Sequence, residues 1–258
     1  DGTFNPRDIF GSHDDSDHVY NTPRAWYMAR CLNPSTMNWD GPDADFTPLS
    51  DDIPWCMVPE KKVTIEDVKY VLSSHFQGTP YDPYASYGDK SMKGAYRAIG
   101  VNRTDFLGII QMRPDAGEDS RAIEWVAFAS NVFNTTAPFY TDVEKVPEYF
   151  SNTTGDASTD NFYWASRMIA AMADASYSKS IFHIERYQER VMSKGHEYIN
   201  QYDELLEKES NAEKRMQLRQ EANEKIADMV KKETQDTLNK VLYELSNQMK
   251  NAYSRSDA

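Results

Sequence analysis

Residues 64–84 read TIEDVKYVLSSHFQGTPYDPY, and the pattern changes character half-way along. Thr64 is a helix-capping residue type, and Glu66 and Asp67 put negative charge beside the unpaired amides of a first turn. Val68, Leu72 and Phe76 recur on one face, which predicts a helix of about three turns. Gly78 can take the left-handed conformation that ends a helix, and Pro80 and Pro83 forbid its continuation. Tyr81, Asp82 and Tyr84 are therefore held on a stiff loop, the kind of element that positions chemistry well.

Outward from this segment, the first 95 residues are rich in Pro, Asp and aromatics, with one further helix expected at residues 23–31 and loops elsewhere. Residues 97–130 carry the apolar runs AIGV, FLGIIQM and AIEWVAFA, broken by turn signals at 102–105 and 114–117, and predict adjacent antiparallel strands. So few strands cannot bury both faces alone and need helices or a second sheet to cover them.

Beyond Pro147 there is no proline. Asp160 can cap a helix containing Trp164, Met168, Ala171 and Met172, and a second helical run follows at about 180–206. A third covers about 211–253, with Leu218, Ala222, Ile226, Met229 or Val230, Leu238, Val241, Leu245, Met249 and Ala252 on one stripe. The expected organisation is a body, 1–180, and a helical hairpin extension, 181–258.

Charge follows the same division. The formal net charge is -13, of which residues 181–258 carry 15 acidic against 13 basic side chains, so the acidity belongs to the body. Strong net negative charge argues against nucleic acid and against an anionic membrane surface. No apolar run approaches the length of about 18 residues that suggests a membrane span. Cys31 and Cys56 could form a bridge in an oxidising compartment or stand as two reduced thiols. Sequons at Asn102, Asn134 and Asn152 matter only in a glycosylating pathway, and localisation is not legible. Nucleotide, dinucleotide, serine-hydrolase and zincin motifs are all absent.

The 64–84 segment resembles the DHYEGTPYD region of the C69 dipeptidases, the PepD-like branch of the N-terminal-nucleophile hydrolases. Further pieces agree in order: TPRAW at 22–26 with LNPS at 32–35, RAI at 97–99 leading to IQMR at 110–113, WVAF at 125–128, PFY at 138–140 and YWASR at 163–167. The resemblance spans roughly residues 20–180. It implies an α+β chain contributing antiparallel strands and covering helices to a four-layered αββα hydrolase, with long C-terminal helices added.

In that family an N-terminal Cys attacks a dipeptide carbonyl while its own α-amine acts as base, with no metal or organic cofactor. Residue one here is Asp1, and Cys31 and Cys56 have ordinary amide nitrogens. The expectation is therefore a C-terminal portion, inactive alone, whose partners are a dipeptide substrate and the missing N-terminal part of the enzyme. Two alternatives stand beside it. One is a non-catalytic module that binds a partner or homo-oligomerises through the acidic body or the helical stripe; the other is an N-acyl amidase of the same superfamily.

The resemblance also nominates site residues. Arg167 occupies the place of an arginine near the nucleophile, where it could hold a substrate carboxylate or lower a thiol pKa; the plain alternative is a structural ion pair. Tyr81 and Asp82 could line the cleft, Asp82 meeting a dipeptide amine, although Asx-turn chemistry explains an Asp there equally well. Asn131, just past WVAFAS, is a candidate oxyanion or substrate contact. Trp125 reads as core. His75 reads as a helix C-terminal cap, HDDSDH at 13–18 as a solvated acidic loop in preference to a metal site, and His183 and His196 as solvent-facing.

Overall fold

A computed structural model describes residues 6–12 and 14–250. It divides into two compact units, Asp1–Val101 and Asn102–Ala258. The secondary structure is mixed helix and antiparallel sheet, and no helix among the described residues is long and apolar enough to cross a membrane.

In the first unit, helices α1 (Pro6–Phe10), α2 (Asp17–Tyr20) and α3 (Thr22–Leu32) precede a long stretch of loop and α4 (Ile65–Leu72). Thr64 caps α4 reciprocally: its Oγ1 accepts the Asp67 amide at 3.1 Å, and the Asp67 carboxylate accepts the Thr64 amide at 3.0 Å. The helix stops at Leu72, short of the three turns expected. Phe76, assigned by spacing to the helical face, instead has φ 66° and lies fully buried, edge-on to Tyr27 with centroids 5.4 Å apart. Burying the ring against Tyr27 offsets the cost of left-handed backbone, on the order of 1–2 kcal/mol.

Trp26, Tyr27, Trp39, Ile53 and Phe76 form the core of this unit. With little regular structure available, polar tips of the aromatics tie down loop carbonyls: Trp26 to Phe46 at 3.0 Å, Tyr27 to Gln77 at 2.8 Å and Trp39 to Asn33 at 2.8 Å. The expected AIGV strand does not form. The Gly100 amide donates to the Ser74 carbonyl at 2.8 Å, and a Cβ on Gly100 would lie 2.6 Å from the Ser73 oxygen, so this run packs on the α4 terminus instead of pairing.

The second unit is built on a three-stranded antiparallel sheet, order β1 (Phe106–Met112), β2 (Ala122–Phe128), β3 (Ala137–Tyr140), with a 3-10 turn at Glu118–Ser120. The β3 strand lies in the PFY motif, but APFY is short and contains Pro138, so no local alternation marks it as strand. Helices α5 (Glu148–Ser151), α6 (Phe162–Ala175), α7 (Tyr177–Lys208) and α8 (Ala212–Ser246) follow. Asn161, not Asp160, caps α6, accepting the Trp164 amide at 2.9 Å.

Period-two alternation decides the sheet's two faces. Ile123, Trp125 and Ala127 are fully buried, confirming Trp125 as core, and its indole donates to Gln111 at 3.0 Å. Helix α7 covers this face at Gly195, where a Cβ would sit 2.6 Å from Pro138 Cδ; a larger residue would push helix from strand. His196 packs its ring 4.6 Å from that of Trp125, correcting the solvent-facing expectation, and His183 stands 3.4 Å from Glu244. At the other edge, Asn223 of α8 bonds both backbone groups of Tyr140. Phe128, Phe139, Phe150 and Phe162 cluster where α5 and α6 meet the sheet.

Helices α7 and α8 pack antiparallel. Ala222, Ile226, Met229, Val230, Leu238 and Val241 of the stripe are buried, Leu245 is half-buried, Met249 is exposed and Ala252 lies outside the described residues. Across the pair, Glu233 takes Lys194 at 2.5 Å and Arg190 at 2.8 Å. Arg215 and Arg219 share Asp119 at 2.6 and 2.5 Å, tying α8 to the β1–β2 connection.

Candidate active site

The first element is the loop after α4. Ser74 Oγ accepts the Phe76 amide at 3.1 Å, Thr79 Oγ1 donates to the Phe76 carbonyl at 2.7 Å and accepts the Tyr81 amide at 3.2 Å. Asp82 Oδ1 accepts the Tyr84 amide at 2.9 Å, an Asx turn, one of the two readings of this position. The same oxygen lies 2.9 Å from His75 Nδ1, with both side chains buried, so His75 is half of a buried ion-pair or hydrogen-bond couple. That corrects the helix-cap reading: α4 has already ended three residues earlier. Tyr81 packs against Tyr96 at 4.7 Å and edge-on to Trp26 at 6.1 Å. Composition hints at none of this coupling, because seven residues separate His75 from Asp82 across a turn.

Lys69 of α4, missed in the sequence, is buried with Nζ 2.6 Å from Ser73 Oγ. Loss of water around the ammonium brings its pKa down to about 7.

The second element lies where β1 begins and β2 ends. Arg167 Nη1 donates to Asp105 Oδ1 at 3.1 Å, and Tyr163 donates to the same oxygen at 3.2 Å. The Asp105 carbonyl accepts the amide of Ala129 at 3.0 Å, so Asp105 links Arg167 to the loop that carries Asn131. The Arg167 side chain is 41 % exposed.

From Ala129 to Thr136 every residue is buried, polar side chains included. Ala129 has φ 65°, a conformation that a non-glycine residue holds only under local constraint. Asn134 supplies it, donating to the Phe128 and Ala129 carbonyls at 2.7 and 3.0 Å, while Gln188 of α7 donates to the Val132 and Asn134 carbonyls at 3.1 and 2.8 Å. Asn131 Oδ1 lies 3.4 Å from the Asn134 amide nitrogen. Asn134 is also the Asn of a sequon, and its burial closes that site to a glycan. The hydroxyls of Thr135, Thr136 and Ser166 are buried and have no hydrogen-bond partner among the described residues, Ser166 being the neighbour of Arg167.

Tyr81 and Asp82 thus share one preorganised loop, and Asn131 and Arg167 share one end of the hairpin. His18 pairs with Asp51 at 3.0 Å, His13 lies outside the described residues, and no cluster of metal-ligating side chains occurs among the described residues. Cys31 and Cys56 are both free thiols, and burial pushes the Cys31 thiol up, away from the thiolate form a nucleophile needs.

The family model for peptidase family C69 matches residues 1–190, which contain every element just described. The chain belongs to peptidase family C69. It is 45 % identical to a dipeptidase of Bifidobacterium longum, over 98 % of this chain and 55 % of the relative. A protein of Streptococcus pyogenes named "Probable dipeptidase A" is also 45 % identical, over 98 % of this chain and 51 % of its own length. Dipeptidase A of Lactobacillus helveticus is 32 % identical over 93 % and 49 % respectively. The chain spans about half the length of these C69 relatives. At 98 % coverage of this chain, the first two alignments extend over the sequence of α7 and α8, although no motif marks it.

Proposed function

We propose that this chain is the C-terminal portion of a cysteine-type dipeptidase and supplies substrate contacts to a nucleophile outside these 258 residues. The observation that carries the reading is the hairpin end, where Asp105 joins Arg167 to the buried loop holding Asn131 in a C69 chain. In the reaction, the α-amine of an N-terminal Cys takes the thiol proton and the thiolate attacks the peptide carbonyl; the C–N bond breaks as the α-ammonium returns the proton to the departing amine, and water then hydrolyses the acyl-enzyme to the acid and the free thiol. Arg167 holds the dipeptide carboxylate or the thiolate in a partly open site, and Asn131 donates to the oxyanion. Tyr81 and Asp82 of the first unit are substrate contacts on this reading, with Oδ2 of Asp82 left for a substrate amine after Oδ1 has bound His75 and the Tyr84 amide.

The sheet and helices, on this reading, are two of the four layers of an N-terminal-nucleophile hydrolase. The reaction requires neither metal nor organic cofactor. The test compares the whole polypeptide with residues 1–258 alone. Dipeptide hydrolysis by the former and not the latter, abolished by changing its N-terminal Cys to Ala, is expected; hydrolysis by residues 1–258 alone would overturn the assignment of the nucleophile.

A further inference from the structure

Two side-chain clamps hold the buried loop that carries Asn131. The first is internal to the loop. Asn134 Nδ2 donates to the Phe128 and Ala129 carbonyls at 2.7 and 3.0 Å and lies 3.4 Å from Asn131 Oδ1. The acceptor end of the Asn131 amide is thereby turned towards Asn134, so its donor end, Nδ2, points the other way.

The second clamp comes from a helix. Gln188 Nε2 of α7 donates to the Val132 carbonyl at 3.1 Å and to the Asn134 carbonyl at 2.8 Å, which commits both hydrogens of that amide to the loop. Buried carbonyls outside helix and sheet need partners of this kind. Gln188 is itself firmly placed. Tyr187 is fully buried with its hydroxyl 2.7 Å from Thr234 Oγ1, and Arg190 donates to Glu233 at 2.8 Å, so α7 is pinned to α8 on either side of Gln188. The loop meets α7 a second time where Phe133 packs edge-on against Tyr177, with centroids 6.3 Å apart.

The loop has a conformation that needs such support. The amides of Phe133 and Asn134 both donate to the Ser130 carbonyl, at 3.1 and 3.0 Å, directly after the left-handed Ala129. A tight turn leaving a strained residue persists only where its surroundings fix it. Asn131 sits inside that turn, so whatever fixes the turn also aims its amide.

We infer that Gln188 is a positioning residue of dipeptide hydrolysis: through the Val132 and Asn134 carbonyls it holds the turn that directs the Asn131 amide at the oxyanion. The inference rests on the reading of Asn131 as the oxyanion donor. It gives α7, a helix without a motif, a part in the chemistry as well as in covering the sheet. Misplacing a catalytic donor by about 1 Å costs about a hundredfold in rate, which makes such a clamp consequential.

The competing role for Gln188 is stability alone, as for Asn223 at β3, and kinetics separate the two. Gln188→Met keeps the length of the side chain and removes both donors. In the whole polypeptide, assayed well below its melting transition, this variant should lose about tenfold or more in kcat with KM unchanged, because an oxyanion contact forms only in the transition state. Asn131→Ala should lose about a hundredfold. Adding Gln188→Met to Asn131→Ala should cost nothing further, since the donor being aimed is gone. In residues 1–258, Gln188→Met should accelerate amide exchange over 129–136 by about tenfold more than in the middle of α8.

A Gln188→Met polypeptide with wild-type kcat, or full multiplication of the two losses in the double variant, would confine Gln188 to stability and overturn the inference. Unchanged exchange over 129–136 would overturn it as well. A whole polypeptide that cleaves no dipeptide, or whose Asn131→Ala variant keeps full kcat, defeats the reading of Asn131 and this inference with it. A slowed Asn131→Ala beside an unslowed Gln188→Met defeats this inference alone.

Discussion

Asn223 of α8 completes the hydrogen bonding of Tyr140 in β3: its Oδ1 accepts the Tyr140 amide at 2.9 Å and its Nδ2 donates to the Tyr140 carbonyl at 3.0 Å. A side-chain amide here does the work of a fourth strand and seals one edge of the sheet. Each buried backbone group left without a partner costs about 1–3 kcal/mol.

Asn223→Leu should therefore destabilise residues 1–258 by about 2–4 kcal/mol in urea denaturation. Asn223→Asp, which keeps the acceptor but faces a carbonyl with a carboxylate, should do no better. A loss below about 0.5 kcal/mol would mean that water or a shifted helix satisfies the strand edge instead.

The buried His75–Asp82 couple predicts strong non-additivity. His75→Gln and Asp82→Asn should each destabilise the first unit, and the double variant should cost less than their sum by about 1–2 kcal/mol. Simple addition in that cycle would make the 2.9 Å approach energetically idle.

Lys69 predicts a pH dependence with a definite sign. Its pKa is about 7 in the folded chain, against roughly 10.4 unfolded. Between those values the unfolded state holds a proton that the folded state has released, so this group makes stability rise with pH from about 7 to 10. Lys69→Met should stabilise the chain at pH 6 by on the order of 2–4 kcal/mol, with the gain shrinking towards pH 10. A gain that stays constant over that range would argue against a buried, neutralised amine.

Arg167 distinguishes catalysis from structure. Its pair with Asp105 has side chains 41 and 65 % exposed, and such pairs contribute little to stability. In the whole polypeptide Arg167→Lys should leave the melting temperature within about 2 °C but reduce dipeptide hydrolysis by about tenfold or more, because a planar bidentate donor is lost. Full activity would return Arg167 to the status of a surface ion pair.

Signals carried by neighbouring residues were legible in the chain alone. The Thr64 cap, the alternation of FLGIIQM and AIEWVAF, and the stripe from Ala222 to Val241 identify α4, β1, β2 and α8, since each depends on local spacing and local hydrogen bonds. The ordered motifs identify peptidase family C69, a conclusion its family model bears out. Tertiary contact decided the rest. Phe76 leaves the helical face because the Trp26–Tyr27 core rewards its burial, and AIGV yields no strand because Gly100 has room only against Ser73. The partners of Asp82 and Arg167 were likewise invisible: His75 and Asp105 reach them through a folded turn and a hairpin, at separations of 7 and 62 residues that no local pattern encodes.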